Sequence, residues 1–367
     1  MTRRLVVLMF WAACVAQAGA QIPVPFVSNT ERFMVFCEKH FEEVDARPPQ
    51  QVFAMEGQLV YVSHDGELKV YDVEPGKKQV LETNAPSDVQ ATRNRIAWLN
   101  GDVLRTIRGG VSTSISNGVA RYQVSDSLIV LEDTVERKLG VVWRNKLHYV
   151  ADLYPDGERI KWSLGSNTLS WFDRKARKLG YFRRGEEGVL CDSADIGLSV
   201  AGGDVIGYWD DHAKQLLALA NGAPIFLSDT RPVSMQAGNG MLAYVDGLGK
   251  LKCFVDGKVN TVMSDIPSGY WLKDEVLVYL DNGTFKLFTR HGAMTVENYV
   301  PEKWLVEGDA LVYLDMNREL RGVIDGKRVR FGSEANIADF QLYGSMVVHR
   351  NQQGNTVVAT AKRTFIF

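Results

Sequence analysis

Leu311-Val312-Tyr313-Leu314-Asp315 repeats, residue for residue, Leu277-Val278-Tyr279-Leu280-Asp281 thirty-four positions earlier. Working outward from this echo, its aromatic recurs as Tyr61, Trp98, Trp171, Tyr208, Tyr244, Tyr279 and Tyr313, with Val130 and Val348 in its place in two weaker copies. The spacings are 37, 32, 41, 37, 36, 35, 34 and 35 residues. A period of this size marks a repeat architecture in which each unit is one supersecondary element.

One unit runs from Gly269 to Val300. Tyr270-Trp271-Leu272-Lys273 precedes Asp274-Glu275, then come Val276 to Leu280, the turn Asp281-Asn282-Gly283, Phe285-Lys286-Leu287-Phe288, a second turn at His291-Gly292, and Met294 to Val296. Four short apolar runs, each bounded by Asn, Asp or Gly, spell four antiparallel strands joined by tight hairpins. No run between turns is long enough for an ordinary helix. Such a sheet cannot bury both faces alone, and stacking copies around an axis solves this while protecting strand edges, so the expected fold is a single all-β propeller of four-stranded blades. Pro49, Pro232, Pro267 and Pro301 each lie thirteen residues beyond the third-strand residues Phe36, Leu219, Phe254 and Phe288. A residue without an N–H suits the exit of an outer strand.

Residues 1–20 carry Arg3 and Arg4, an apolar stretch from Leu5 to Val15, and Ala18-Gly19-Ala20 before Gln21, the pattern of a secretory signal peptide cleaved after Ala20. No later run is long and apolar enough to span a bilayer as a helix, so residues 21–367 are expected to form the propeller in a secreted or periplasmic setting. Phe33 to Gly57 aligns without a gap on Leu251 to Glu275, which makes 33–49 the outer hairpin of a blade. Its inner half is expected from the last unit, Ala338 to Phe367, so that N- and C-terminal strands share one blade and close the ring. Nine inner-strand starts between Val52 and Ala361 predict eight or nine blades.

The net charge of −2 argues against an electrostatic nucleic-acid binder. Past the leader, Cys37, Cys191 and Cys253 permit one disulfide at most and lack metal-ligand spacing. No cofactor motif occurs, and His40, His64, His148, His291 and His349 are scattered with no nucleophile motif beside them. The clearest polar recurrence is the acid two places after the aromatic: Asp173, Asp210, Asp246, Asp281 and Asp315, with Asn100 and Glu132 in poorer copies. Asp at the first turn position bonds the backbone two residues on, which accounts for the residue type. The functional alternative is a ring of acids on one face of the propeller, densest at Asp210-Asp211-His212, that meets a cation, a sugar or a basic peptide. Among the aromatics, Trp143, Trp162, Trp209, Trp271 and Trp304 are candidates for a stacking platform, although aromatics also fit sheet surfaces.

The unit's layout is an inner strand, a Gly/Asp/Asn turn, an aromatic-x-Asp strand, then Leu-Lys-x-Phe and Asp-Gly-Lys, best seen from Leu242 to Lys258 and from Leu311 to Lys327. It resembles secreted bacterial β-propeller repeat proteins, with a strand order similar to the TolB-type propeller. The Ser-Pro-Asp-Gly turn of that family is absent from every copy, so its translocation role does not carry over. The resemblance implies a fold and supplies no catalytic residues. The function expected is a binding or scaffold module that takes a protein or carbohydrate ligand on loops at one face. The alternatives are a glycoside hydrolase or lyase with two acids facing the channel, and an accessory or sensor domain of an envelope assembly.

Overall fold

The hairpins close on residues whose backbone takes positive φ, as at Asn221-Gly222, Asp256-Gly257, Asn282-Gly283 and Asp325-Gly326. Such pairs match the twist of the strands they join, and the β-branched and aromatic runs between them pair as short antiparallel ladders. In the computed structural model, which describes residues 22–192 and 194–367, these ladders form ten sheets in chain order. Blade 1 spans 24–45, and blades 2 to 10 span 51–82, 88–116, 119–152, 162–191, 194–228, 234–263, 269–297, 304–330 and 340–366. Every strand pairs only with its neighbours in sequence. The expected leader lies outside the described residues.

The ring therefore has ten blades, not eight or nine. The copy that escapes the sequence count is Phe26, thirty-five residues before Tyr61, on the strand Val24–Val27. That strand pairs with Phe33–Cys37, which pairs with His40–Asp45, so among the described residues blade 1 has three strands, all from the N-terminal segment. Blade 10 has four strands of its own, Phe340–Tyr343, Met346–Arg350, Thr356–Ala359 and Thr364–Ile366. Among the described residues no strand passes from one terminus into the other's sheet, which corrects the expected shared blade. Side chains close the ring instead. Val24 and Phe36 pack with Met346, Val348 and Val358, while Phe36 meets Phe365 at 4.8 Å and Phe41 meets Phe367 at 5.2 Å between ring centroids. Arg350 donates to the Val27 carbonyl (2.7 Å) and to Asn29 Oδ1 (2.5 Å). With Pro25, which has no N–H, that bond blunts the edge of a strand that has no inner neighbour among the described residues.

Each of the ten joints has its own buried cluster drawn from two adjacent blades. The second-strand aromatic is a fixture of these clusters, and Tyr61, Trp98, Tyr208, Tyr244 and Tyr313 are among the largest fully buried side chains. In three of the blades its polar tip reaches back to an acid at the end of the preceding blade's outer strand. Tyr61 Oη donates to Asp45 (3.3 Å), Trp98 Nε1 to Glu82 (3.2 Å) and Tyr313 Oη to Glu297 (2.7 Å).

The unpaired inner edges of the first strands are closed by side chains. Gln90 Nε2 donates to the Tyr122 carbonyl and its Oε1 accepts from the Val124 amide, and Gln236 does the same to Tyr270 and Leu272. Near the axis the first turns of blades 5 to 8 stack backbone on backbone, which leaves no room for a side chain. A Cβ on Gly165 would lie 2.1 Å from the Gly202 carbonyl oxygen, one on Gly202 2.2 Å from that of Gly238, and one on Gly238 2.3 Å from that of Asp274.

Gly202→Ala should therefore destabilise the protein by about 1–3 kcal/mol through overpacking against backbone. Gly247→Ala, whose Cβ would meet nothing nearer than 3.4 Å, should stay within about 0.5 kcal/mol of wild type. Denaturant midpoints of the two variants provide the check, and equal midpoints would refute the stacking argument.

Candidate functional site

An antiparallel meander puts its first and third turns at one end of the ring and its second turns at the other. The seven residues singled out by sequence sit at the second-turn end, in blades 5 to 9. Asp173 accepts the amides of Lys175 and Ala176, Asp210 those of His212 and Ala213, Asp246 those of Leu248 and Lys250, and Asp315 those of Asn317 and Glu319, all within 3.0 Å. Asp281 pairs with Lys286 at 2.6 Å, Asp246 with Lys252 at 2.9 Å and Asp315 with Arg321 at 2.6 Å. Asp211 takes Lys214 and the Trp209 indole N–H, while the side chain of His212 is exposed and makes no hydrogen bond to any described residue. Burial alone would raise the pKa of Asp246, but the Lys252 ammonium and the two turn amides hold it below the usual carboxylate range.

Among the described residues no hydrogen bond or ion pair joins any of these six acids and one histidine to another across blades. The two weak copies also shift by one place. Asp133, not Glu132, accepts the turn amides of Val135 and Glu136 in blade 4, and Asn351 does so in blade 10, where the buried His349 fills the aromatic position.

The first-turn end brings residues of many blades together. Glu56 N–H donates to the Arg93 carbonyl, Ser127 N–H to Ser166, Gly203 N–H to Gly238, Asn239 N–H to Asp274 and Glu275 N–H to Gly308, each bond crossing from one blade to the next. Ser166 Oγ reaches Asn239 Oδ1 (3.1 Å) across two joints, and Asp274 Oδ2 accepts the Gly308 amide (2.8 Å). These turns line an axial cavity of about 280 Å³. Glu307 stands at this collar, half-buried. Burial lifts its pKa above the usual carboxylate range and Asp274 adds to the rise, against the pull of the Gly344 amide, Lys273 and Arg93.

Charge divides this end of the ring. The first and third turns of blades 3 to 5 carry Arg93, Arg95, Arg108, Arg144, Lys146, Arg183 and Arg184 against Asp126 and Glu186, seven cations to two acids. Those of blades 6 to 9 carry four cations, Lys258, Lys273, Arg290 and Lys327, against seven acids, Asp204, Asp256, Asp274, Glu275, Glu307, Asp309 and Asp325. In the basic sector a second cavity of about 550 Å³ opens beside the axial one, and Asp126 lines both. Trp143 forms one of its walls, with the Arg144 guanidinium 4.4 Å from its ring centroid and Gly185 of the next blade packed so close that a Cβ there would lie 2.5 Å from the indole.

Two further cavities lie between blades. One of about 700 Å³ holds Arg121, stacked 3.6 Å over Trp162 and paired with Glu132 at 2.7 Å. The other, about 550 Å³, lies at the seam between blades 10 and 1, where the inner strand of blade 1 is missing among the described residues. The three described cysteines, Cys37, Cys191 and Cys253, are buried, and no cluster of three metal-ligating side chains occurs among the described residues. None of their helices is long and apolar enough to cross a membrane. Sequence reasoning missed the first-turn end because its residues share no type. Glu56, Arg93, Asp126, Ser166, Gly203, Asn239, Asp274, Gly308 and Gly344 all sit in first turns, and the division of charge along the ring is visible only once every turn is assigned to an end.

The sequence matches the 10-bladed beta propeller domain family over residues 17–362, in agreement with the blade count. No curated protein matches it. Among solved structures it is similar to the computationally designed Ika8 protein, at 12% identity over 93% of this chain and 100% of that one with a TM-score of 0.38. It is also similar to apo AztD from Citrobacter koseri (12% identity, 72% and 91% of the two chains, TM-score 0.36) and to the CRINKLY WD40 ectodomain of the Arabidopsis thaliana receptor kinase ACR4 (8%, 64% and 90%, 0.31).

Two measurements follow from this geometry. Asp246→Ala should cost about 1–2 kcal/mol by leaving two turn amides and Lys252 without an acceptor, whereas Asp246→Asn keeps the acceptor and should cost less; equal losses in thermal or denaturant unfolding would contradict the turn role. Glu307 binds its proton more tightly when folded than when unfolded, so its ionisation lowers stability as pH rises through the folded pKa. Glu307→Gln should accordingly raise Tm relative to wild type at pH 7 and lose that advantage below about pH 4, where the carboxyl is protonated in both states. An advantage that persists unchanged at low pH would rule out ionisation as its source.

Proposed function

The chain belongs to the 10-bladed beta propeller domain family, and on that footing we propose that it is a binding or scaffold module whose ligand meets the first-turn end of the ring. The observation that carries the reading is the division of charge there, seven cations to two acids in one sector and four to seven in the other, around turns held by backbone bonds from blade to blade. A rigid scaffold that presents loops of opposite charge around a concavity favours a partner of complementary pattern and steers its approach. The module works outside the cytoplasm, secreted or periplasmic, a reading supported by the basic, apolar and Ala-Gly-Ala pattern of residues 3–20. Its ligand is a protein or a carbohydrate, and no TolB-type translocation role is included.

One observation favours a second reading, a glycoside hydrolase or lyase acting at the axis. Glu307 is a carboxyl of raised pKa with Asp274 in electrostatic reach. Asp274 is already bound to the Gly308 amide, however, and stapling turns together accounts for it.

A thermal-shift screen of the purified protein against oligosaccharides, peptides and small organic acids tests the binding reading. We expect at least one probe to raise Tm with concentration, the stabilisation reaching about 2.7 kcal/mol at a hundredfold excess over Kd. Arg93→Gln at the first-turn end should weaken that shift, and His212→Ala at the opposite end should leave it intact. The reverse pattern would move the site to the second-turn acids, while hydrolysis of an oligosaccharide that is lost in Glu307→Gln would establish the enzymatic reading.

A further inference from the structure

The basic sector holds guanidinium groups that the protein itself does not neutralise. Arg95 and Arg144 form no ion pair with any described residue, and the Nε of Arg95 is buried without a hydrogen-bond partner. Burial with no counter-charge pulls the pKa of Arg95 below the usual guanidinium value. A buried donor left open costs stability unless something fills it. Both side chains line the cavity of about 550 Å³, together with Arg184, Asn167 and Trp143.

The surroundings hold these groups in place. Arg184 is anchored at 2.8 Å by Asp204 of the next blade, and Arg183 reaches the same carboxylate at 3.5 Å. Asn167 Oδ1 accepts the Asp204 amide (2.7 Å), which leaves the Asn167 amide N–H₂ to donate. Arg144 lies on the Trp143 ring, and Trp143 is itself wedged against Gly185. The donors come from three blades, whose mutual placement is fixed by buried joints and by the Ser127-to-Ser166 backbone bond. Asp126 is the one acid on the wall, at the side toward the axis. It disfavours a ligand whose negative charge extends over the collar and so selects one with charge at a single end.

We infer that this cavity, lined by Arg95, Arg144 and Arg184, is a binding site for a small ligand bearing an oxyanion group, a carboxylate, phosphate or sulfate, that takes the open donors of Arg95 and Arg144. Arginine's planar fork matches such groups two bonds at a time, and charge-assisted bonds of this kind are about twice as strong as neutral ones. The assignment rests on the first-turn end being the ligand-facing one and gives that ligand its chemical class.

The test is calorimetric titration of the purified protein with acetate, inorganic phosphate and sulfate in turn, at ionic strength held constant with sodium chloride. At least one anion should bind saturably at one site per chain, and the order of the three identifies the preferred group. Arg95→Gln and Arg144→Gln should each weaken that binding at least about tenfold, the scale of one lost charge-assisted contact. Arg47→Gln, which removes an exposed arginine paired with Asp65 outside this cavity, should leave it unchanged. Arg144 is exposed, so its variant should keep the wild-type melting midpoint and separate lost binding from lost folding. Saturable binding indifferent to Arg95 and Arg144, or weakened as much by Arg47→Gln, would overturn the inference, as would no saturable binding of any of the three. A neutral probe that still shifts Tm through Arg93 would then leave the ligand-facing end standing without its anion site.

Discussion

An aromatic side chain on the second strand of one blade, pressed into the face of the blade before it, is the contact on which the rest of the ring depends. A four-stranded sheet of five-residue strands buries too little of itself to stand alone, so each blade is stable only between neighbours. Tyr61, Trp98, Tyr208, Tyr244 and Tyr313 are buried completely, and removing a ring of this size typically costs about 3–5 kcal/mol. Three of them, Tyr61, Trp98 and Tyr313, also supply a polar tie to the preceding outer strand, through Asp45, Glu82 and Glu297. One position per unit thus sets the apolar joint and the angle at which the next sheet meets it. At blade 10 the buried His349 takes this place, with its pKa pushed down by burial, as expected of an imidazole kept for packing.

This division of labour explains what the sequence reveals. The joint needs a large apolar group in one register and the turn after it needs an acceptor, so aromatic-x-Asp recurs and the four-stranded unit can be read directly from Leu277 to Asp281 and from Leu311 to Asp315. Where size alone suffices the register blurs, and Leu131 and His349 fill the aromatic position in place of Val130 and Val348, one residue away. Phe26 is obscured by the proximity of the leader pattern and by the missing inner strand, and its turn uses Ser28, whose hydroxyl accepts the Arg32 amide, in place of Asp. Blade 1 therefore reads in the sequence as half a unit that needs the C-terminus, and the count of units stops short of ten.

The candidate site was not legible for the opposite reason. At the second-turn end each hairpin solves the same local problem and the acids repeat. At the first-turn end the turns meet one another near the axis, and their side chains vary from Gly to Arg because each answers to its neighbour across the ring. Close backbone approach demands Gly at 165, 202 and 238, while carboxylate staples and cations occupy the wider places. Variation at a shared position is the mark of an end that differs from sector to sector, and that asymmetry is what a ligand can recognise.

The side-chain seam between blades 10 and 1 has a consequence for how the chain reaches its native state. Nine joints connect blades that follow one another at roughly 35 residues, so each can form as soon as the next unit exists. The tenth brings Arg350 to Asn29 across a separation of 321 residues. Because the entropy of closing a loop grows only with the logarithm of its length, this tenfold longer span adds only about 2 kcal/mol. The last apolar contacts, Phe365 and Phe367 on Phe36 and Phe41, come from the outer edge of the tenth blade, so a growing chain stays an open arc, with one bare sheet face at each end, until that blade has been made.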